Sequence, residues 1–260
     1  MTEIYKQSGK RQKAVIIIKA APQVGEKHGE TVCCAGLDEY GNWLRLYPVS
    51  FRTLDDEQKF SRWDRIEFDW RRPRDDRRLE SRRVDQQSLR IIGKLKSSER
   101  ESFLTPAIVT SLKKERERGR SLALIRPTIE GFEYERKTDS EIDSEKTKFD
   151  AIRSQKDLFA SNTVPRIPCP YKFRYRYTIE DGQRVGTCQD WETEATFLKL
   201  RRDFDEPKAL HEMQSIFGER YPKVGMVLAM GTHSQYPETW LINGVVRLND
   251  DPQGFLFSAD

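Results

Sequence analysis

A thiol and three carboxylates lie close together in one short segment of the chain, in the order Cys188, Asp190, Glu192 and Glu194. A helix that begins at Thr187 would place its positive end beside the thiol, lower the thiol pKa and attract an anion. On such a helix Asp190 and Glu194 share a face, so they could hold a proton or a metal ion between them. The pattern makes Cys188 a candidate nucleophile, and Asp190 and Glu192 candidate acid–base groups.

The same segment has a purely structural interpretation. Thr187 and Asp190 have the spacing of a capping box, in which the threonine hydroxyl and the carboxylate each accept a hydrogen bond from a backbone N–H. Such caps are common at helix starts. This alternative explains Asp190 without any catalysis.

His233 is a further candidate catalytic residue, because it lies in a polar segment, residues 231–237, between two predicted strands. A loop of this kind often forms the rim of a pocket, and an imidazole there could carry protons for the carboxylates. The alternative is an exposed histidine that bonds only to backbone or solvent.

Two basic clusters could bind phosphate. Residues 71–83 contain seven arginines among three acids, and residues 171–177 alternate aromatic with basic side chains. Guanidinium groups match phosphate through their planar fork of donors. The alternative is a surface network of opposite charges. The predicted phosphate contacts are Arg71, Arg72, Arg74, Arg77, Arg78, Arg82, Arg83, Lys172, Arg174 and Arg176.

The aromatic face of residues 171–177 is expected to pack in the core. It consists of Tyr171, Phe173, Tyr175 and Tyr177. If it were exposed instead, it could stack on unpaired bases.

The first third of the chain must position the arginine cluster. Hydrophobic patterning predicts an antiparallel, barrel-like β unit in residues 1–95, with Ile66, Phe68 and Trp70 facing the core. The predicted strands are residues 14–20, 31–37, 42–48, 63–70 and 84–92.

The remainder has mixed patterning, so the fold class is α+β. Residues 96–168 form a predicted helical and β segment that ends in a proline-rich connector, and residues 169–260 form a predicted β-α-α-β-β unit. The predicted elements are helical residues 98–118 and 140–159, and strands 121–127, 129–136, 171–177, 224–230 and 239–248.

Composition narrows the class of protein. Charged residues make up 34% of the 260 residues, well above the usual quarter, so the surface must be heavily charged. The net charge of +4 is too small to indicate a nucleic-acid partner without local clustering. No apolar run approaches the roughly 18 residues of a membrane helix, and the start lacks the apolar core of a secretion signal. The four cysteines have neither disulfide nor zinc spacing. We expect a soluble cytoplasmic protein without membrane association.

The last third resembles a group of functionally uncharacterised bacterial and archaeal proteins. The shared layout is an aromatic-basic strand at residues 171–175, the DWE sequence at 190–192, GT at 231–232 and W-x-I-x-G-V at 240–245. The resemblance covers roughly residues 169–247. It implies an accessory role in DNA-modification or defence gene clusters.

This chain departs from the resembled pattern at one position. Members of that group often have a histidine shortly before DWE, where this chain has residues 185–188, Val-Gly-Thr-Cys. The departure argues against a histidine-based metal site, and the sequence indicates no particular cofactor.

Three functions follow from these patterns. The first is a nucleic-acid-associated protein, with DNA the favoured partner, that binds backbone phosphates through the arginines. The second is an enzyme that acts on a nucleotide or modified base with Cys188, Asp190, Glu192 and His233 in one pocket. The third is an interaction subunit of a larger complex.

Overall fold

The chain has an α+β fold in which a closed five-stranded barrel packs against a second sheet and its helices. The computed structural model describes residues 11–21, 23–25, 29–51, 54–156, 167–233 and 236–249. Predicted features in residues 1–10 and 161–166, and the end of the helix predicted at 140–159, lie outside this part of the chain. No helix in the described ranges is long and apolar enough to span a bilayer.

The barrel is closed by strands that are far apart in sequence. Its sheet has the order β1-β3-β4-β6-β5-β7, and β1 also pairs with β5, which closes the ring. The short β2 pairs with β3, and β7 pairs with β5 outside the ring. The strands are β1 (Arg11–Lys19), β2 (Gln23–Gly25), β3 (Gly29–Leu37), β4 (Trp43–Val49), β5 (Asp64–Arg71), β6 (Ser81–Val84) and β7 (Arg90–Lys94).

The five barrel strands have the connectivity of the OB fold. Counted along the barrel, their order is 1-2-3-5-4-1, and the pair formed by β4 and β6 is parallel while the other pairs are antiparallel. This arrangement is a Greek-key barrel. The predicted barrel-like unit is confirmed.

Strand β1 is continuously apolar from Ala14 to Ile18 because both of its faces are buried there. Ala14 and Ile16 point into the barrel, whereas Val15 and Ile17 point outward onto the second sheet. A strand buried on both faces is expected to be continuously apolar rather than alternating. In β5, which alternates, Ile66, Phe68 and Trp70 fill the barrel as predicted.

The second sheet has the order β10-β11-β12-β14-β13-β9-β8. Its pairs are antiparallel except for β12 with β14 and β8 with β9. The strands are β8 (Ile108–Val109), β9 (Leu122–Ile125), β10 (Thr128–Arg136), β11 (Tyr171–Ile179), β12 (Gly182–Cys188), β13 (Met226–Thr232) and β14 (Trp240–Arg247).

The helical segments between Trp191 and Arg220 cover the face of the second sheet that is turned away from the barrel. Phe197 and Leu200, and then Leu210, Met213 and Phe217, pack on this face with the aromatic side of β11. The aromatic residues of β11 are core residues, as predicted. The helices are α1 (Ser97–Leu104), α2 (Leu112–Glu117), α3 (Asp139–Lys156), α4 (Trp191–Asp203), α5 (Glu206–Met213), a π-helical turn (Gln214–Arg220) and α6 (Tyr221–Val224).

Some predicted elements differ from the structure. The helix start expected at Thr187 is instead part of strand β12, and α4 begins at Trp191. The strand predicted at 84–92 is interrupted, because β6 ends at Val84 and β7 begins at Arg90 after a 3-10 turn. The strands that follow α2 are not partners, since β9 pairs with β13 and β10 with β11.

Candidate nucleic-acid interface

Asp190 lies in the interior, between the barrel and the second sheet. Its Oδ1 accepts a hydrogen bond from Arg62 Nη2 at 2.7 Å, and its Oδ2 accepts from Thr193 Oγ1 at 3.2 Å and from the Val245 N–H at 3.3 Å. Arg62 also donates to the Val245 carbonyl. The carboxylate therefore joins the barrel, α4 and β14.

The predicted capping box is wrong. Thr187 belongs to β12, and Asp190 occupies the N-cap position of α4 without a side-chain bond to the backbone of the first turn. Its side chain bonds to Arg62 instead, and only the Thr193 hydroxyl links it to the helix.

Burial and the ion pair have opposite effects on the pKa of Asp190. Removal from water raises the pKa to about 6, and the adjacent Arg62 limits the rise. Burial by itself lowers the pKa of Arg62, but Asp190 and Glu192 reverse this, so its net pKa is raised. At neutral pH the pair is therefore ionised.

Cys188 is buried and its environment does not activate it. Its Sγ lies 3.7 Å from Thr193 Oγ1, and burial raises the pKa of the thiol to about 12. This is opposite to the predicted lowering, because desolvation by burial outweighs the hydrogen bonds with the Asp190 backbone and the Thr193 side chain, which lower the thiol pKa. Glu192 is exposed at the surface, where one oxygen lies 3.4 Å from Arg62 Nη1.

The basic side chains of β11 are already paired with acids. Lys172 lies 2.5 Å from Glu141, and Arg174 and Arg176 pair with glutamates on β10. Glu135 and Glu133 are those partners, at 2.8 and 3.0 Å. A phosphate at this face would have to compete with these carboxylates.

The arginine loop between β5 and β6 borders a cleft of about 660 Å³. The cleft lies between the barrel and the second sheet, and it contains His233 as well as arginines from both parts of the chain. Only Asp75 and Asp76 among its lining residues are acidic. Its arginines are Arg45, Arg77, Arg78, Arg82, Arg83, Arg116 and Arg120.

The structure thus brings together part of the predicted site. Arg77, Arg78, Arg82 and Arg83 share the cleft with His233, whereas the other three arginines of residues 71–83 do not line it. These three, Arg71, Arg72 and Arg74, are exposed. Cys188 and Asp190 are not lining residues either.

Arg45 is a cleft residue that the sequence analysis missed. Only 2% of it is exposed, and its Nη2 donates to the carbonyl and hydroxyl oxygens of Ser121 at 3.0 and 3.2 Å. The Ser121 N–H and hydroxyl donate in turn to the buried Glu80 carboxylate, at 2.9 and 3.0 Å. Within the described ranges no carboxylate forms an ion pair with Arg45. A signal was present in the sequence, because Arg45 interrupts an apolar strand between Leu44 and Leu46.

Two of the cleft arginines, Arg78 and Arg82, are held in defined positions by neighbouring side chains. Arg78 donates from two nitrogens to Asp76, and the Ser81 hydroxyl donates to the same carboxylate at 2.6 Å. Although burial raises the pKa of Asp76, these hydrogen bonds lower it to about 2 overall. Arg82 stacks on the Trp70 ring, 4.2 Å from its centroid.

Two cleft arginines are available to a ligand. Arg77 and Arg83 form no ion pair with any residue in the described part of the chain. Arg116 and Arg120 at the opposite side pair with Glu238 and Glu115 respectively.

The second sheet contributes the end of β13 and the start of the following loop. The Thr232 N–H donates to the Ser121 carbonyl at 3.0 Å, the same oxygen that accepts from Arg45. His233 follows, and its ring lies 5.1 Å from that of Tyr236, which is 64% exposed. The Tyr236 N–H donates to His233 Nδ1 at 3.2 Å.

A second cavity on the barrel, of about 670 Å³, lacks this concentration of positive charge, because it combines one arginine, Arg90, with Asp55 and Glu57. Among the residues that the structure describes, no group of three or more His, Cys, Asp or Glu side chains could hold a metal ion.

Two family models match the chain, and they meet near residue 105. Residues 105–258, more than half of the chain, match Domain of unknown function (DUF8757), and the chain belongs to this family. Residues 10–106 match Domain of unknown function (DUF8758). No curated protein matches the chain significantly.

Similar solved structures share little with this chain. One, described as "Molecular basis for abrogation of activation of pro-inflammatory cytokines", is 8% identical over 70% of this chain and 76% of that chain, with a TM-score of 0.30. Another, described as "Structure and Conformational Change of a Replication Protein A Heterotrimer Bound to ssDNA", is 11% identical over 98% of this chain and 69% of that chain, with a TM-score of 0.26. Both scores are below 0.5, so neither likeness defines the fold or the function.

Proposed function

We propose that the protein binds nucleic acid, with DNA the favoured partner, in the arginine-lined cleft. The observation that carries this proposal is the convergence of seven arginines and only two aspartates in one concave site. Phosphate neutralisation by arginine supplies most of the affinity in such interfaces.

The burial and the hydrogen-bond partners of Arg45 support an anionic ligand. A buried cation without a direct ion pair is costly. Among the described residues, the partners of the Arg45 guanidinium are Ser121, which bridges to Glu80, and Cys33 Sγ at 3.5 Å. A phosphate in the cleft would add a second negative charge close to Arg45, Arg77 and Arg83. Binding is therefore expected to stabilise the cleft as well as to neutralise the ligand.

The position of the cleft on the barrel supports the same proposal by analogy. OB-fold barrels bind oligonucleotides and oligosaccharides on strands 2 and 3 and on the loops between strands 1 and 2 and strands 4 and 5. Here β3, β4 and the β5–β6 loop supply Cys33, Arg45 and Arg77 to the cleft. The analogy concerns the fold, and the charge of the cleft is the independent argument.

The test compares the double variant Arg77→Gln/Arg83→Gln with the wild-type protein. Binding of labelled DNA and RNA is measured by fluorescence anisotropy at about 50 and about 200 mM salt. We expect wild-type binding that weakens steeply with salt. The double variant should bind roughly tenfold more weakly and lower the salt slope by about 2.

The matched control is Arg174→Gln/Arg176→Gln, which removes the same charge from the exposed face of β11. It should change binding little if the cleft is the site. Equal weakening by both double variants would indicate a general charge effect and contradict the cleft, and no binding at low salt would overturn the proposal.

A chemical readout locates the ligand. Cys33 lines the cleft and is half-buried, whereas the other three cysteines are buried. Bound oligonucleotide should slow alkylation of Cys33 by iodoacetamide, and unchanged alkylation at saturating oligonucleotide would contradict binding at this site.

The resemblance to proteins of DNA-modification and defence gene clusters supports a biological setting. We propose that the chain is an accessory component of such a system and contacts its other subunits. Deletion of the chain should then reduce phage resistance or the content of modified bases, measured by plaque assay and by mass spectrometry of genomic DNA. Unchanged values for both would count against this role.

A further inference from the structure

The cleft has two chemically different sides. The barrel side supplies arginines from β4, β6 and the β5–β6 loop. The other side supplies Thr232 and His233 together with Arg116 and Arg120, which pair with Glu238 and Glu115. The two sides meet at one atom, because the Ser121 carbonyl accepts from both Arg45 Nη2 and the Thr232 N–H, each at 3.0 Å. A group held by Arg45 is thus close to His233, the residue after Thr232.

An exposed aromatic pair lies at the edge of the second side, where His233 and Pro237 line the cleft and Tyr236 directly precedes Pro237. The His233 and Tyr236 rings are 5.1 Å apart and inclined by only 33°, and Tyr236 is 64% exposed. A large exposed ring that already packs on a neighbouring ring offers a flat surface for stacking. Bases of single strands stack on such rings, whereas bases inside a duplex are covered by their neighbours.

The size of the cleft limits what can enter. A volume of about 660 Å³ lies within the range of pockets for small ligands. It can enclose a nucleotide but not a double helix. A duplex could reach the inner arginines only after a base is unstacked, which costs a few kcal/mol.

We propose that the cleft holds one unpaired nucleotide of a single strand, with its phosphate on the barrel arginines and its base against the His233–Tyr236 pair. The inference rests on the proposed function and narrows it to single-stranded ligands. It assigns the two halves of the chain complementary roles, since the barrel holds the phosphate and the His233–Tyr236 pair holds the base.

The experiment measures anisotropy with a labelled single strand of roughly 12 nucleotides and with the same strand in a duplex. We expect the single strand to bind about tenfold or more tightly. Tyr236→Leu should weaken single-strand binding about tenfold, and Tyr236→Phe should retain it, because stacking requires the ring and not the hydroxyl.

The matched control is Tyr40→Leu. Tyr40 is 74% exposed in the β3–β4 turn, and neither it nor its sequence neighbours line the cleft, whereas Tyr236 directly precedes the lining residue Pro237, so the loss of Tyr40 should leave binding unchanged. Equal affinity for the single strand and for the duplex, together with unchanged binding by the Tyr236→Leu variant, would overturn this inference. If Arg77→Gln/Arg83→Gln still weakened binding in that case, the proposed function would stand. If neither form bound at low salt, both would fail.

Discussion

Asp190 remains charged in the interior because three donors surround it. Arg62, Thr193 and the Val245 N–H all bond to the carboxylate, and together they offset the cost of removing it from water. An ionised carboxylate with this set of partners is a structural tie between the barrel and the second sheet. Asp190 is not among the residues that line the cleft.

Asp190→Ala should destabilise the protein by about 3–5 kcal/mol, because it leaves the Arg62 charge buried without its partner. Urea denaturation followed by circular dichroism measures this change in the free energy of unfolding. The control is Glu192→Ala, which removes an exposed carboxylate 3.4 Å from the same guanidinium and should cost about 1 kcal/mol or less. Normal stability of Asp190→Ala with lost ligand binding would instead indicate a functional carboxylate.

At the level of elements, close packing of β1 against β3 requires a glycine. A Cβ at Gly36 would lie 2.2 Å from the Val15 carbonyl oxygen, which is backbone and cannot move aside easily. The β1–β3 pair is also where the barrel meets the second sheet, so displacement there affects both sides of β1.

Gly36→Ala should therefore lower the free energy of unfolding by about 1–3 kcal/mol or more, since overpacking forces the backbone to shift. The measurement is the midpoint of thermal or urea unfolding. Gly131→Ala serves as the control, because a Cβ there meets the flexible end of Arg176 at 3.1 Å. Equal tolerance of both substitutions would show that β1 can move away from β3.

Strand β12 was not predicted from the sequence, and its composition shows why. Its buried face includes Gly186, against which Ile242 and Tyr177 pack so closely that a Cβ would lie 2.8 Å from the Ile242 Cδ1. A glycine on the buried face removes the apolar signal that marks a strand. By contrast, β11 carries an aromatic residue at each buried position and was predicted correctly.

At the level of the whole molecule, an apolar layer joins the barrel to the second sheet. Val15, Ile17, Ala35 and Leu37 of the barrel face Leu122, Leu124, Val227, Ala229 and Val246 of the sheet, all buried. The layer runs through both segments matched by the family models. Neither segment can keep these side chains from water without the other.

Separate expression of residues 11–106 and 107–260 should therefore yield fragments that aggregate or bind the dye ANS, because each exposes its half of the layer. Mixing the fragments should suppress dye binding and restore the circular dichroism spectrum of the intact chain. The intact chain is expected to unfold in one transition. Two monomeric fragments with native spectra and no dye binding would show that the layer contributes little.

Local patterns in the sequence determined the α+β class, most of the strands and the arginine-rich loop. They also determined which side chains of β5 and β11 face the core. Side-chain alternation and clustered charge depend only on neighbouring residues, so these features could be predicted. The tertiary structure decided which of those residues form a site. Arg45, Ser121 and His233 come from distant segments, and only barrel closure and the packing of the second sheet bring them to one cleft. Burial also depends on the whole fold, which is why the thiol of Cys188 and the carboxylate of Asp190 became core groups although their spacing favoured chemistry.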